Sequence, residues 1–494
     1  MTLDSIFSTK RVNPQEIDKI KSKIFAQHFT SLEIAQYMSS LISVEKKDYI
    51  RILDAGGGDG ILSIAAIIQC VNLEYDNIHV KIYEIDKEMI KYIKYNFIQL
   101  TKSLTINKIN LTYEIICQDF VLSRPDIKNK EKEFDVCIIN PPYFKYKVAT
   151  SPYSKKTQDL FKGDPNIYAS FMGICINMLA DNGQLISITP RSFTNGLYFK
   201  HFRQFITNNC SLNKVHIFNS RNKVFKNSSV LQETIICSFT KKSQISFIEI
   251  RSSESESDLD ETLIRSYPSN LILNYTENDM TFNIPEDDLS ADIMKKALSL
   301  DSDFSSSGYY ISTGPVVEHR TKEYLVEKKN EIPLFRPHNI SFMKTEWGDN
   351  HKKDISIIFS ERTKKILLKN SIYVLIKRMS SKDEKKRLTA GIYNSLDNYE
   401  YIGFGNKLNY IGLKNEEMNI EEATGLSAVL NSTFMDNYFR CISGSTQVNA
   451  TDIRLMKFPS RNIVKKIGTS IIKKSYSQDI IDKIVLLYLF EKEV

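Results

Sequence analysis

The chain of 494 residues is 42% hydrophobic and 11% aromatic with 18 Gly and 13 Pro, which supports sizeable cores and excludes wholesale disorder and collagen-like repetition. Its seven cysteines form no C-x-x-C pair, which argues against a zinc cluster or disulfide framework and for a reducing cytoplasm, and the apolar runs 61–73 and 167–180 are too short for a bilayer span. The net charge of +7 is uneven, with 32 basic and 24 acidic residues over 1–250, 4 and 11 over 251–300, and 30 and 24 over 301–494, which reads as two basic bodies flanking an acidic joint and suits a polyanion between them.

The first 250 residues alternate short, Ile-rich runs with helix-length segments. Strands are predicted at Tyr49–Asp54, Val80–Glu84, Leu111–Cys117, Phe134–Ile139 and Gly183–Thr189. Met89, Ile90, Ile93, Phe97 and Leu100 fall at helical spacing and predict a helix over 87–100; a second is predicted over 167–179. Such alternation predicts a doubly wound α/β sheet whose ligands lie beyond the C-terminal strand ends. Two more strands are predicted at Leu212–Phe218 and Thr234–Thr240.

The run Ser252–Glu261 has too little apolar content to pack and predicts an acidic linker or loop over 246–265. Beyond it the regular alternation is lost. Strand-like pieces at 308–314 and 371–376, a basic stretch at 377–387 and one or two helices over 463–493 predict an α+β domain ending in helices. The expected division is therefore a first domain over 1–245, the linker, and a second domain over 266–494.

Chemistry-bearing residues recur at the strand ends. Leu53-Asp-Ala-Gly-Gly-Gly-Asp-Gly60 follows the first strand: Gly56, Gly58 and Gly60 allow close backbone approach to a ligand, and Asp54 adds a carboxylate. A turn of this kind serves NAD, flavin or S-adenosylmethionine, and the lack of Gly-Lys-Ser/Thr argues against a P-loop. Glu84, ending the next strand, can accept both hydroxyls of a ribose. Asp119 can accept from an exocyclic adenine amine, with Phe120 beside the ring. Asn140-Pro141-Pro142-Tyr143 follows the fourth strand. Its prolines fix an extended turn in which the Asn140 amide oxygen and the Pro141 carbonyl can converge on one flat amine, and Tyr143 can stack on a planar base.

With these motifs in this order, the chain resembles the gamma-class S-adenosylmethionine-dependent DNA adenine-N6 methyltransferases, the TaqI- and PstI-type enzymes of type II restriction-modification systems. Phe25–Ala35 is similar to that family's N-terminal motif, which implies cofactor contacts for Phe29 and Thr30; Ser31 stands where the family has Pro. Asn166-x-Tyr168-x-x-Phe171, Gly183 and Thr189–Phe193 are similar to later catalytic blocks. Lys223-Val-Phe225 matches the segment whose ring faces the N-P-P-Y tyrosine across a flipped adenine, which implies that role for Phe225. Ile311–Val317, Leu375–Arg378 with Lys386–Leu388, and Gly444–Arg454 look like segments of the type II C-terminal region.

The resemblance implies a Rossmann-like methyltransferase domain with S-adenosyl-L-methionine as cofactor, no metal, and a C-terminal target-recognition domain. Asn140, Pro141, Pro142, Tyr143 and Phe225 are then catalytic, and Phe29, Thr30, Asp54, Gly56, Gly58, Glu84, Asp119, Phe120 and Asn140 bind the cofactor. It further implies double-stranded DNA as partner, a cognate endonuclease acting separately, a monomer, and a bacterial or archaeal cytoplasm. RNA or protein-glutamine methylation uses the same N-P-P-Y chemistry, but the large basic C-terminal half favours DNA. Cytosine-N4 methylation more often accompanies Ser-Pro-Pro. A fused nuclease would add P-D…E-x-K, yet Pro125-Asp126 has no E-x-K nearby.

Overall fold

The computed structural model describes residues 30–490, apart from 107, 125–132, 148–149, 163–165, 220–233, 243, 276–279, 328–330, 349–353, 381–383, 444–446 and 473–475. It divides into two compact units, with the boundary between Phe282 and Asn283.

In the first unit the Ile-rich runs become strands. These are β1 (Ile50–Ala55), β2 (Asn77–Glu84), β3 (Asn110–Cys117), β4 (Phe134–Ile139), β5 (Leu179–Pro190), β6 (Cys210–Phe218), β7 (Thr234–Lys241), β8 (Phe247–Ser253) and β9 (Leu263–Pro268). They form one nine-stranded sheet in the order β3-β2-β1-β4-β5-β7-β6-β8-β9. β7 runs antiparallel to both neighbours and β9 runs antiparallel to β8, while the remaining pairs are parallel. Every residue of β4 is buried, as expected of a parallel strand covered on both faces. The expected doubly wound sheet is thus present.

Among the helices that accompany the sheet are α1 (Leu32–Ser40), α2 (Ile61–Asn72), α3 (Lys87–Ile106), α4 (Pro152–Thr157), α5 (Ile167–Met178) and α6 (Lys200–Asn209). α2 is apolar all round and nearly wholly buried, the pattern of a central rather than a surface helix. Ile34, Met38, Ile64, Phe97 and Val136 join helices and strands in one core. Strand order reverses between β2-β1 and β4-β5, which opens a crevice at the C-terminal ends of β1 and β4.

The acidic segment 246–265 is not a linker. It holds β8, a 3-10 turn over Glu256–Glu261, and β9, and so belongs to the sheet. Ile248 and Ile250 of β8 alternate into the core, which a count of acids overlooks. The polar run between the strands is self-capped: the Asp258 carboxylate accepts from the backbone N–H groups of Glu254 (2.6 Å) and Ser255 (2.7 Å), and Leu259 is buried. The boundary accordingly moves from 245–266 to 282/283.

The second unit is α+β. A six-stranded sheet runs in the order Tyr309–Thr313, Leu408–Leu413, Tyr373–Lys377, Ala390–Tyr393, Met343–Thr345, Ile340–Ser341, and a five-stranded sheet accompanies it. Phe335, Tyr373, Tyr393, Phe404 and Tyr410 form its aromatic core. Helices at Ile420–Asn431, Thr433–Ile442, Arg461–Ile471 and Gln478–Phe490 follow. The basic stretch 377–387 is not wholly a solvent face. Arg387 is fully buried, its guanidinium lies over the Phe439 ring at 5.2 Å, and it donates to the Ser443 carbonyl at 3.1 Å.

Candidate functional site

The turn after β1 has the backbone its glycines suggest. Gly56, Gly58 and Gly60 have φ of +92°, +55° and +87°, the left-handed region that side chains disfavour. Gly57 is needed for a different reason, since a Cβ there would stand 2.4 Å from Ile82 Cγ2. The N–H groups of Gly56 and Gly57 both donate to the Tyr83 carbonyl at 2.9 Å, which pins the turn to the end of β2.

Glu84 closes the same turn. One oxygen accepts from Gly58 N–H (2.7 Å) and the other from Asp86 N–H (2.8 Å). Burial pushes its carboxyl up, opposed by these backbone bonds. A carboxylate has about four lone-pair sites, so acceptor capacity remains, and Glu84 lines a cavity of about 270 Å³. That volume approaches the range of small-molecule sites.

Thr30, Gly56, Gly58, Glu84, Asp119, Phe120, Asn140 and Pro142 all line this cavity, so eight of the expected residues meet at one place. Phe120 is buried and held edge-on by Tyr83 at 5.0 Å and against Phe171 at 5.2 Å. Asp119 accepts from Leu122 N–H (2.9 Å) and from the Tyr153 hydroxyl (2.9 Å).

Asn140 follows the last residue of β4, with its amide fixed at both ends. Its Nδ2 donates to Thr30 Oγ1 at 3.0 Å, and its Oδ1 accepts from the Tyr143 hydroxyl at 2.8 Å. That hydroxyl also lies 3.0 Å from the Ile188 carbonyl, so its one proton is shared between two acceptors. Burial raises the Tyr143 hydroxyl well above its ordinary pKa, and it remains a donor. Tyr143 meets Tyr168 edge-on at 6.3 Å, and Tyr168 is hydrogen-bonded to Ser192 at 3.0 Å.

One expectation changes. Asp54 does not line the cavity: it is wholly buried, and its Oδ2 accepts from the Ser63 hydroxyl at 2.6 Å, which ties the end of β1 to α2. Burial pushes its carboxyl up to about 7, with the negative charges of Glu84 and Asp59 adding to the effect. Pro141 and Tyr143, expected at the substrate amine and not at the cofactor, do not line this cavity. Phe29 and Phe225 lie outside the described residues.

The wall also contains residues the strand-end reading missed, among them Phe144, Tyr153 and Phe171. Phe171 was within reach, because it occupies the helical block Asn166-x-Tyr168-x-x-Phe171. Tyr153 sits in a short polar helix with no periodicity to mark it. Two carboxylates with spare lone pairs, a buried ring and a glycine turn open at Gly58, where a Cβ would meet nothing within 4 Å, fit a nucleoside bearing vicinal hydroxyls and an exocyclic amine.

Residues 24–225 match the family model described as Eco57I restriction-modification methylase. The chain is 34% identical over 481 residues to the type II methyltransferase M.PstI of Providencia stuartii, spanning 95% of this chain and 93% of that protein. It is 35% identical over 477 residues to the type II methyltransferase M.BsuBI of Bacillus subtilis, spanning 94% and 92%. Among solved structures, the type IIL restriction-modification enzyme MmeI in complex with DNA aligns with a TM-score of 0.54 at 11% identity, over 90% of this chain and 71% of that one; the likeness is one of fold.

Proposed function

This chain belongs to the type II DNA methyltransferases of restriction-modification systems, and from that premise we propose that it transfers a methyl group from S-adenosyl-L-methionine to N6 of adenine in duplex DNA, EC 2.1.1.72. The observation that carries this reading is the Asn140 amide, held between Thr30 and Tyr143 at the edge of a cavity whose carboxylates suit a nucleoside. Bound there, S-adenosylmethionine supplies a methyl on a sulfonium whose positive charge disappears on transfer.

The chain's own groups bind and orient. Glu84 would hold the ribose hydroxyls, Asp119 would accept from the adenine amine, and Phe120 would lie beside the adenine. Asn140 Oδ1, an amide oxygen with two lone pairs, is oriented by the Tyr143 hydroxyl. Together with the Pro141 carbonyl it accepts the two hydrogens of the target amine. That favours a more tetrahedral nitrogen and directs its lone pair at the methyl group, so positioning and electrostatics replace a strong base.

The target adenine must leave the duplex stack at a cost of a few kcal/mol. Tyr143, and Phe225 by its sequence match, offset part of this by stacking. Lys and Arg side chains neutralise backbone phosphates, and side chains of the second unit read base edges in the major groove. A separate endonuclease, a monomeric state and a cytoplasmic location complete the reading; among the described residues no helix is long and apolar enough to cross a membrane.

Asn140→Ala tests it. The variant is expected to retain S-adenosylmethionine binding yet lose methyl transfer by at least about a hundredfold. Labelled methyl from the unaltered chain is expected in N6-methyladenine of duplex DNA. Normal turnover in the variant, or label in RNA or protein instead, overturns the assignment.

A further inference from the structure

We propose that Tyr153 is a positioning residue for the cofactor's base: its hydroxyl holds the Asp119 carboxylate in the orientation that receives the exocyclic amine. The inference rests on the cofactor reading above and adds a residue that no strand end or motif supplies. Tyr153 lies on α4, which is capped by Ser151 and begins with Pro152, and it lines the cavity itself.

The carboxylate is held at both oxygens, Oδ1 by Leu122 N–H and Oδ2 by the Tyr153 hydroxyl, each at 2.9 Å. Two such bonds fix the plane of the group, and each oxygen keeps a second lone pair for a ligand. Without the hydroxyl, only the Leu122 bond would orient the group. Burial and the bond to Asp119 push the Tyr153 hydroxyl up to about 12, so it is a donor at every physiological pH.

The contact also joins two segments at the cavity. The stretch that follows Asp119 and the stretch around α4 meet a second time through Arg124. Its Nη1 donates to the Lys156 carbonyl at 2.7 Å and pairs with Asp159 at 2.6 Å. The Tyr153 ring meets Phe144 edge-on at 6.0 Å, and Phe144 follows the N-P-P-Y turn directly. Tyr153 therefore stands between the acid that reads the cofactor and the turn that presents the substrate amine.

The test is Tyr153→Phe, which removes one oxygen and keeps the ring, in the full-length chain. Binding of S-adenosylhomocysteine by calorimetry is expected to weaken about tenfold, the size of one hydrogen bond to a charged group. The loss in methylation is expected in KM for S-adenosylmethionine rather than in kcat. The penalty is expected to vanish in an Asp119→Ala background, and to vanish with S-inosylhomocysteine, which has no exocyclic amine. Equal affinity of the variant and the unaltered chain for S-adenosylhomocysteine overturns the proposal. A penalty that persists unchanged with the inosyl analogue or in the Asp119→Ala background also overturns it, because a purely structural role would give that result. Failure of the unaltered chain to bind S-adenosylhomocysteine at all would instead remove the cofactor reading on which the proposal rests.

Discussion

A carboxylate sealed at the end of β1 leaves a mark on stability that a pH titration reads. Asp54 has its carboxyl pushed up to about 7 by burial, against about 3.9 in an unfolded chain. Between roughly pH 4 and 7 the folded state therefore holds a proton that the unfolded state has released, and linkage makes stability fall as pH rises through that window. Asp54→Asn removes this contribution, so the stability difference between the unaltered chain and the variant is expected to shift against the unaltered chain from pH 4 to 7 in denaturant titrations. A difference that stays flat over that range contradicts the assignment. Asp54 also shows the limit of reading single residues. Its place at a strand end resembles that of Glu84 and Asp119, but the packing of α2 turned it toward Ser63 and away from the cavity. Glu84, Asp119 and Asn140 were legible because strand ends in a doubly wound sheet converge on one crevice. Tyr153 was not, because its partner Asp119 lies 34 residues earlier in the chain.

Elements in the second unit are held by backbone contact as much as by side chains. Helices Ile420–Asn431 and Arg461–Ile471 cross at two glycines. A Cβ on Gly425 would stand 1.9 Å from the Val464 carbonyl oxygen, and one on Gly468 would stand 1.7 Å from that of Glu421. Beside this crossing, buried Glu422 accepts from the Tyr309 hydroxyl at 3.0 Å and from the Arg461 guanidinium. Gly425→Ala must push the helices apart, and an overpacking cost of about 1–3 kcal/mol or more is expected. It should appear as a lower denaturant midpoint with the secondary structure retained; an unchanged midpoint means that the helices can separate without loss. Seven of the nine sheet strands and the helices α3 and α5 of the first unit were readable from local periodicity, whereas this crossing is invisible to it. So is the conversion of an acidic run into the β8–β9 pair, because pairing partners and caps lie outside any short window.

At the scale of the whole chain the charge acquires a different division. Residues 1–282 hold 34 basic and 31 acidic side chains, and residues 283–494 hold 32 and 28. Neither unit is strongly basic, so attraction to DNA must come from local clusters of Lys and Arg and not from overall charge. If about 6–10 phosphates are neutralised, a plot of log affinity against log salt is expected to fall with a slope of roughly −5 to −9. Binding measured from 50 to 300 mM salt checks this, and a flat line contradicts phosphate-dominated binding. Local patterning along the chain determined seven strands of the first sheet, the helices α3 and α5, the glycine turn and the order of motifs from Asp54 to Tyr143, because periodicity and turn chemistry act over a few residues. Tertiary structure decided what depends on residues far apart: the boundary at 282/283, the sealing of Asp54 and Arg387, the two-sided hold on Asn140, and the hydroxyl of Tyr153 on Asp119. Those outcomes are set by which surfaces exclude water and which donors remain to be satisfied once the elements have packed.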